Sequence, residues 1–261
     1  MKQVAQEIKE VYKKRDLIRH FVTSELKTNY KGTALGFLWM ILDPLFMMFV
    51  YVVLVSLIFQ RGGPQFAVLL LTALISWTWF AKSSSNSIKT FFSNRSLIQT
   101  INVPLSIFPL SKIILGMITF LASFVALVPM LFIFDATINL NILWLPLLII
   151  AQLVFTLGIG LIFSVAGVYF MDLSNIMQFV LKLWFYASPA LYSIGMIPEK
   201  YLEMYMILNP FAALFVSYQN VLINGTPPSS YMILFSIEAI VLIYVGFKWV
   251  INSRSFIVKN I

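Results

Sequence analysis

The chain has 261 residues, 60% hydrophobic against 11% charged, and 18 Lys and Arg over 10 Asp and Glu give it a net charge of +8. Such a balance excludes an ordinary water-solvated globule, because one core of this size cannot hide so much apolar surface. The lack of cysteine excludes disulfides, iron–sulfur clusters and thiolate zinc sites, and a single His among scattered carboxylates argues against any metal centre.

A helix rises about 1.5 Å per residue, so roughly 20 apolar residues cross a hydrocarbon core of about 30 Å. Six runs qualify, at about 34–59, 66–81, 105–134, 142–170, 176–197 and 231–251. Lipid offers the backbone no hydrogen-bond partner, and barrel strands would alternate polar and apolar residues, so these runs are expected to be helices. The expected fold is all-α. It has six transmembrane helices, an N-terminal amphipathic interfacial helix and re-entrant short helices on the outer side, with a leader over 1–33 and one membrane domain over 34–261.

In chain order, the leader reads as two amphipathic pieces. Val4, Ile8, Val11 and Tyr12 share one helical face, and after Asp16, the expected N-cap, Ile18, Phe21, Val22 and Leu26 continue the stripe. Such a segment suits the headgroup layer, its bases against anionic lipid. No signal-peptide pattern precedes the first span, which is expected to insert and stay. Asp43-Pro44 falls inside that span, where an ionisable group should face protein or a watery cavity and proline should kink or break the helix.

From Lys82 to Pro104 the chain turns polar and basic and reads as a loop around a short amphipathic helix over 94–100. There Leu97, Ile98 and Ile101 are apolar with no evident lipid or core to occupy, which points to a groove on another protein. The glycines of span four, Gly158, Gly160 and Gly167, are expected to permit close helix packing. In the short turn that follows, Asp172 and Ser174 suit a turn and the N-cap of span five. Lys182 lies too deep in span five for easy snorkelling, and Glu238 in span six is its expected partner. The segment 197–230 is too hydrophobic for a free loop and too often broken by proline for a span, hence the re-entrant helices.

Basic residues gather up to Lys31, in the segment around Lys82, Lys89 and Arg95, and in the tail, while the other side holds only Arg61 and Lys200. This asymmetry predicts both termini in the cytoplasm, and it accounts for the positive charge without nucleic acid. No phosphate-binding loop, nucleophile elbow or paired carboxylates appear, so catalysis by this polypeptide is not expected.

Arg15-Asp16-Leu17-Ile18, then Leu26-Lys27-Thr28-Asn29-Tyr30-Lys31-Gly32-Thr33-Ala34-Leu35-Gly36-Phe37-Leu38-Trp39 and Asp43-Pro44, resemble the start of permease subunits of type-2 ABC exporters for polysaccharides and polyol phosphates. The resemblance runs on through Asn94 to Pro104, through Tyr169-Phe170-Met171-Asp172 and to Asn209-Pro210. Within that family it is greatest to permeases that translocate teichoic acid in Gram-positive bacteria. Relatives often carry a basic residue at the position of Met171.

The resemblance implies a homodimer in a bacterial plasma membrane, docked on two copies of a cytoplasmic ABC ATPase that bind ATP and magnesium, with no cofactor on this chain. The cargo implied is a glycopolymer linked to polyprenyl pyrophosphate, moved outward. Coupling to the ATPase falls to Asn94, Arg95, Leu97, Ile98 and Ile101, with Asp172 and Ser174 in a second cytoplasmic turn. Candidate headgroup contacts are Lys14, Arg15, Lys27 and Lys31. Candidate pore or gate residues are Asp43, Tyr51, Trp77, Lys182, Phe185, Tyr192 and Glu238, although single aromatics also suit membrane belts. The competing readings are a permease of the same type for a small lipid or drug, an ion-coupled secondary transporter relaying through Asp43, Lys182 and Glu238, and a membrane enzyme acting on lipid-linked sugars.

Overall fold

The computed structural model describes residues 2–58 and 65–261. Arg61 and the turn expected at Gly62-Gly63 lie outside the described residues. All regular elements among the described residues are helical.

The leader forms α1 (Lys2–Lys13) and α2 (Arg15–Tyr30). Helix α2 starts one residue earlier than expected, with Lys14 in the cap position, so Asp16 does not cap it. Asp16 sits instead in the first turn, where its charge meets the positive end of the helix dipole. Val11, Ile18 and Val22 are buried, in one cluster with Phe108 and Val250, while Ile8 and Tyr12 of the expected stripe stay exposed.

Span one is α3 (Trp39–Val52), followed by a wider π-helical turn over Val53–Ile58. Pro44 lies buried inside α3 without ending it. Having no N–H, it cannot bond the Met40 carbonyl one turn back, and Ser123 Oγ donates to that oxygen at 3.1 Å in its place. The next helix, α4 (Phe66–Ile88), overruns the boundary expected at residue 81. Its last two turns hold Ser83, Ser84 and Ser87, all buried. Glycines of the facing helices make the room: a Cβ at Gly116 would collide with Ser83 Oγ, and one at Gly160 would sit 3.0 Å from Ser87 Oγ. Small polar residues thus pack as small residues here.

Two short helices, α5 (Thr90–Ser93) and α6 (Arg95–Thr100), lead to α7 (Ile107–Ile133) and α8 (Leu145–Tyr169), the latter entered through a 3-10 turn over Leu140–Trp144. Then come α9 (Leu173–Ala187), α10 (Glu199–Leu208), α11 (Pro210–Gln219) with a π-helical turn over Asn220–Asn224, α12 (Met232–Asn252) and α13 (Arg254–Asn260).

Five of these stretches are long and apolar enough to cross a membrane: Gly36–Val55, Phe66–Ile88, Ile107–Ile133, Leu140–Tyr169 and Met232–Asn252. The α10–α11 pair, bent by 104° at Asn209-Pro210, is a sixth if counted as one broken span. The protein is therefore the expected all-helical polytopic membrane fold. The crossing expected at 176–197 is not one helix: α9 has 15 residues and stops before Ser188-Pro189. At about 1.5 Å per residue it reaches about 22 Å, less than the hydrocarbon thickness.

Helices α8 and α12 approach through glycines. A Cβ at Gly158 would lie 2.7 Å from the backbone nitrogen of Ile243, and one at Gly246 would lie 2.9 Å from the Gly158 carbonyl oxygen. Elsewhere the core is pinned by one amide. Ser76 Oγ and the Tyr218 hydroxyl both donate to Gln152 Oε1, at 3.0 and 2.9 Å, and Gln152 Nε2 donates to the Ser76 carbonyl at 2.8 Å. All three side chains are buried, so this network fixes α4, α8 and α11 in register.

Both termini stand at the same end of the bundle. Ser106 Oγ donates to Glu7 Oε1 at 2.7 Å, and Arg254 donates to Asn102 Oδ1 at 2.5 Å. The Lys- and Arg-rich segments share this basic end.

Candidate functional site

At the basic end, α6 is a short ledge between α5 and α7. Asn94 Nδ2 donates to the Thr90 carbonyl at 2.7 Å, and Arg95 is exposed. Leu97 and Ile101 are 36% and 39% exposed, whereas Ile98 is 7% exposed. Ile98 was expected to face a foreign groove, and its place is instead within this chain. It belongs to the cluster of Val250, Ile257 and Ile261, and Gln99 Nε2 donates to the Ile261 carbonyl at 3.2 Å. The apolar pair that α6 offers outward is Leu97 and Ile101.

The second turn at this end holds Asp172, exposed, and Ser174, buried. Asp172 occupies the cap position of α9, but with helical backbone angles its side chain caps nothing. The cap expected there is supplied by the backbone alone, its carbonyl accepting from Asn175 and Ile176.

A polar cavity of about 150 Å³ opens where α2, α3, α4 and α7 meet. Asp43 lines it, and its partner is Lys82 Nζ at 3.3 Å. Lys112, on α7, reaches Glu25 of α2 at 2.6 Å. Tyr30 closes one side, and burial, reinforced by the Asp43 charge, raises its phenol above the ordinary range, so it is a neutral donor at pH 7. Asn86, Thr78 and Ser83 complete the polar wall.

The pair expected between Lys182 and Glu238 is not formed: Lys182 is exposed on α9, Glu238 is half-buried on α12, and neither makes an ion pair among the described residues. The relay of Asp43, Lys182 and Glu238 is thus not assembled in this arrangement.

Nor do the basic leader residues form one site. Lys14 borders a groove with Glu7, Glu10 and Arg254, and Arg15 lies 5.3 Å from the Tyr12 ring. Lys27 and Lys31 border another groove beside Tyr30 and Phe37. Thirteen residues of helix, roughly 20 Å, separate Lys14 from Lys27.

The candidate gate aromatics lie mainly in the protein's own core. Trp77 is 7% exposed and meets Trp184, Phe185 and Phe211 at ring-centroid distances of 5.9, 5.7 and 4.8 Å. Tyr51 packs on Phe185 at 5.9 Å, its hydroxyl 3.4 Å from that of Tyr186. Tyr192 belongs to a polar knot at the vertex of the bent pair. Its hydroxyl bonds the Ala187 carbonyl at 2.8 Å and pairs with the Tyr205 hydroxyl at 2.9 Å.

Asn209 sits at the centre of that knot. Its Oδ1 accepts from Trp184 Nε1 at 3.0 Å and from the Phe211 N–H at 3.2 Å, while its Nδ2 donates to the Ala187 carbonyl and to Ser188 Oγ. The end of α9 and the vertex of α10–α11 are held together this way, with Ser188 and Asn209 both buried. Asn209→Leu leaves these buried partners unmatched, each worth about 1–3 kcal/mol. The expected result is a fall of several degrees in the melting temperature of the detergent-solubilised protein, measured beside Asn209→Gln as the milder change.

Gln152, Lys112 and Glu25 escaped the sequence reading. Gln152 is a lone polar residue inside an apolar run and Lys112 an ionisable one near the start of a span, which was the available signal; Glu25, in a polar stretch of the leader, gave none.

An all-helical membrane protein with an exposed ledge at its basic end, a polar cavity beside span one and a bent helix pair at the other side is the class the geometry defines. Residues 16–223 match the model of the ABC-2 type transporter family. The chain belongs to this family, as its membrane permease, a component that does not itself hydrolyse ATP. It is 34% identical over 232 residues to the O-antigen export system permease protein RfbA of Klebsiella pneumoniae, covering 88% of this chain and 89% of that one. RfbA of Myxococcus xanthus is 30% identical, over 85% of this chain and 86% of its own length. The polysialic acid transport protein KpsM of Escherichia coli is 26% identical, over 71% and 73%.

Proposed function

We propose that this chain is the membrane subunit of an ATP-driven exporter that passes a polyprenyl-pyrophosphate-linked cell-surface glycopolymer outward. The observation that carries the reading is the continuous likeness over 232 residues to an O-antigen export permease, joined by the polysialic acid transport protein. Both are named for polysaccharide cargo, which favours a polymer over a small lipid or drug. The unassembled Asp43, Lys182 and Glu238 relay weighs in the same direction against ion coupling.

In this reading two copies of the chain stand on two copies of a cytoplasmic ATPase, which hold the ATP and magnesium. The basic end faces the cytoplasm, as the distribution of Lys and Arg favours, and α6 meets a groove of the ATPase through Arg95, Leu97 and Ile101. Closure of the ATPases on ATP pushes this ledge, and the spans rock to open a path between the copies. Stripes such as Ile176, Phe179, Leu183 and Tyr186 on α9, all at least half exposed, supply apolar surface for the second copy or for lipid. A teichoic acid, in a Gram-positive membrane, is the finer cargo, supported by the chain's resemblance within the family to permeases that translocate teichoic acid. The relatives' names favour a sugar polymer instead, and the bound glycan decides between them.

The test is copurification from the native membrane with mass spectrometry of bound protein and lipid. An ABC ATPase together with a polyprenyl-linked glycan is the expected result, its repeat units separating sugar polymer from polyol phosphate. Recovery of the chain without any ATPase contradicts the reading.

A further inference from the structure

We propose that α13 is a strut that ties the two turns of the basic end into one lever, with Arg254 and Phe256 as positioning residues that keep ATP hydrolysis coupled to transport. The inference rests on the permease reading above, which sets α6 and the turn before α9 against the ATPase.

Three observations carry it. The first is that α13 touches both turns. On one side Arg254 donates from Nη2 to Asn102 Oδ1 at 2.5 Å and to the Val103 carbonyl at 3.4 Å, while Gln99 Nε2 donates to the Ile261 carbonyl at 3.2 Å. Gln99 belongs to α6, and Asn102 and Val103 to the short link between α6 and α7. On the other side the Phe256 ring lies flat on that of Tyr169, centroids 4.2 Å apart and planes 7° from parallel. Tyr169 is the last residue of α8 and leads directly into the turn that holds Asp172.

The second is that the strut has a firm base. Ile257 is 0% and Ile261 4% exposed, in one cluster with Ile98, Val168 and Val250. Only Ser253 separates α13 from α12, and α12 crosses α8 at Gly158 and Gly246, where a Cβ finds no room. Trp249 of α12 adds a second ring stacked on Tyr169, at 6.2 Å. A displacement of α6 therefore reaches α8 and α12 through packed side chains, as well as reaching α7 along the chain.

The third is where the two joints lie. Arg254 and Phe256 are both exposed, so neither fills the core. An anchor in the headgroup layer needs only apolar contact and loose charge. A guanidinium spent on a neutral amide and a backbone carbonyl of the neighbouring link fixes position instead, because such bonds are directional. When ATP closes the ATPases and α6 moves, α13 carries the second turn with it, and α7, α8 and α12 shift as one body. With the joints cut, α6 swings on its link and the push is lost.

The experiment uses the intact permease–ATPase complex in vesicles, with a polyprenyl-pyrophosphate-linked glycan as probe, and reads glycan moved per ATP hydrolysed. Arg254→Gln with Phe256→Ala is expected to melt within about 2 °C of the parent and to retain its ATPase within about twofold, since both positions are exposed. Hydrolysis continues, but glycan moved per ATP is expected to fall about tenfold. Arg254→Lys and Phe256→Tyr, which keep a donor and a ring, are expected to preserve most of the coupling. Arg254→Gln alone, expected to lower the ratio about threefold, keeps the test decisive if the double variant unfolds. A ratio unchanged in folded variants, or one that falls only in step with the melting temperature, overturns the strut and leaves the permease reading standing. Absence of the ATPase from the parent preparation strikes the permease reading instead, and the strut with it.

Discussion

Gly158→Leu is expected to abolish the folded protein. The new Cβ would come within 2.7 Å of the Ile243 nitrogen and the Leu242 carbonyl carbon, and both are backbone atoms of α12 that no side-chain rotation can move aside. Helices α8 and α12 would have to separate, breaking a seam that includes Phe155 stacked on Phe235 at 4.8 Å and the contact of Gly246 with Leu161. Overpacking of a dense interior costs about 1–3 kcal/mol when side chains yield, and more when backbone must shift. The monodisperse fraction recovered from membranes should fall about tenfold or further. Gly195→Ala is the control, because its Cβ would meet nothing nearer than Ser193 Oγ at 3.8 Å. A Gly158→Leu protein that melts like the parent would contradict the close crossing.

The second large effect concerns function without the fold. In Leu97→Asp with Ile101→Asp, two apolar side chains on and just after α6, 36% and 39% exposed, become charged. Surface substitutions of this kind usually move stability by less than about 0.5 kcal/mol. Two carboxylates forced into an apolar groove of a partner would cost several kcal/mol, enough to empty it. ATPase copurification should drop at least about tenfold and ATP-dependent export should disappear, while the melting temperature of the permease alone stays put. Ile98→Asp behaves differently in this account. It places a charge in the protein's own cluster with Ile257, so it should lower stability directly. Equal recovery of the ATPase with the Leu97 and Ile101 double variant would remove the coupling role from α6.

The apolar runs were legible because lipid leaves the backbone no alternative to helix, and each of the five long spans lies where hydropathy put it. What composition could not show was non-local. Ile98 read as unclaimed because the residues that cover it, Ile257 and Ile261, lie more than 150 positions away. The serine-rich stretch after Lys82 read as loop, since nothing local reveals that glycines at 116 and 160 make room for those hydroxyls. Apolarity over 176–197 read as a crossing, yet Asn209, at the vertex between α10 and α11, bonds the polar groups at the end of α9 around Ser188. Ionisable residues inside spans were visible, but their partners were not: Asp43 pairs with Lys82 of the supposed loop rather than with Lys182 or Glu238. Two expected caps, Asp16 and Asp172, failed for a smaller reason, the backbone at each helix start having already turned helical.

The central claim is that this chain supplies a passage and a separate ATPase supplies the energy through α6. Reconstituted vesicles test it most directly, with the chain alone or with the copurified ATPase, lipid-linked glycan on one side, and ATP added or withheld. Translocation only with both ATPase and ATP, and lost in the Leu97 and Ile101 double variant, is the predicted result. Uphill translocation by the chain alone would contradict the account.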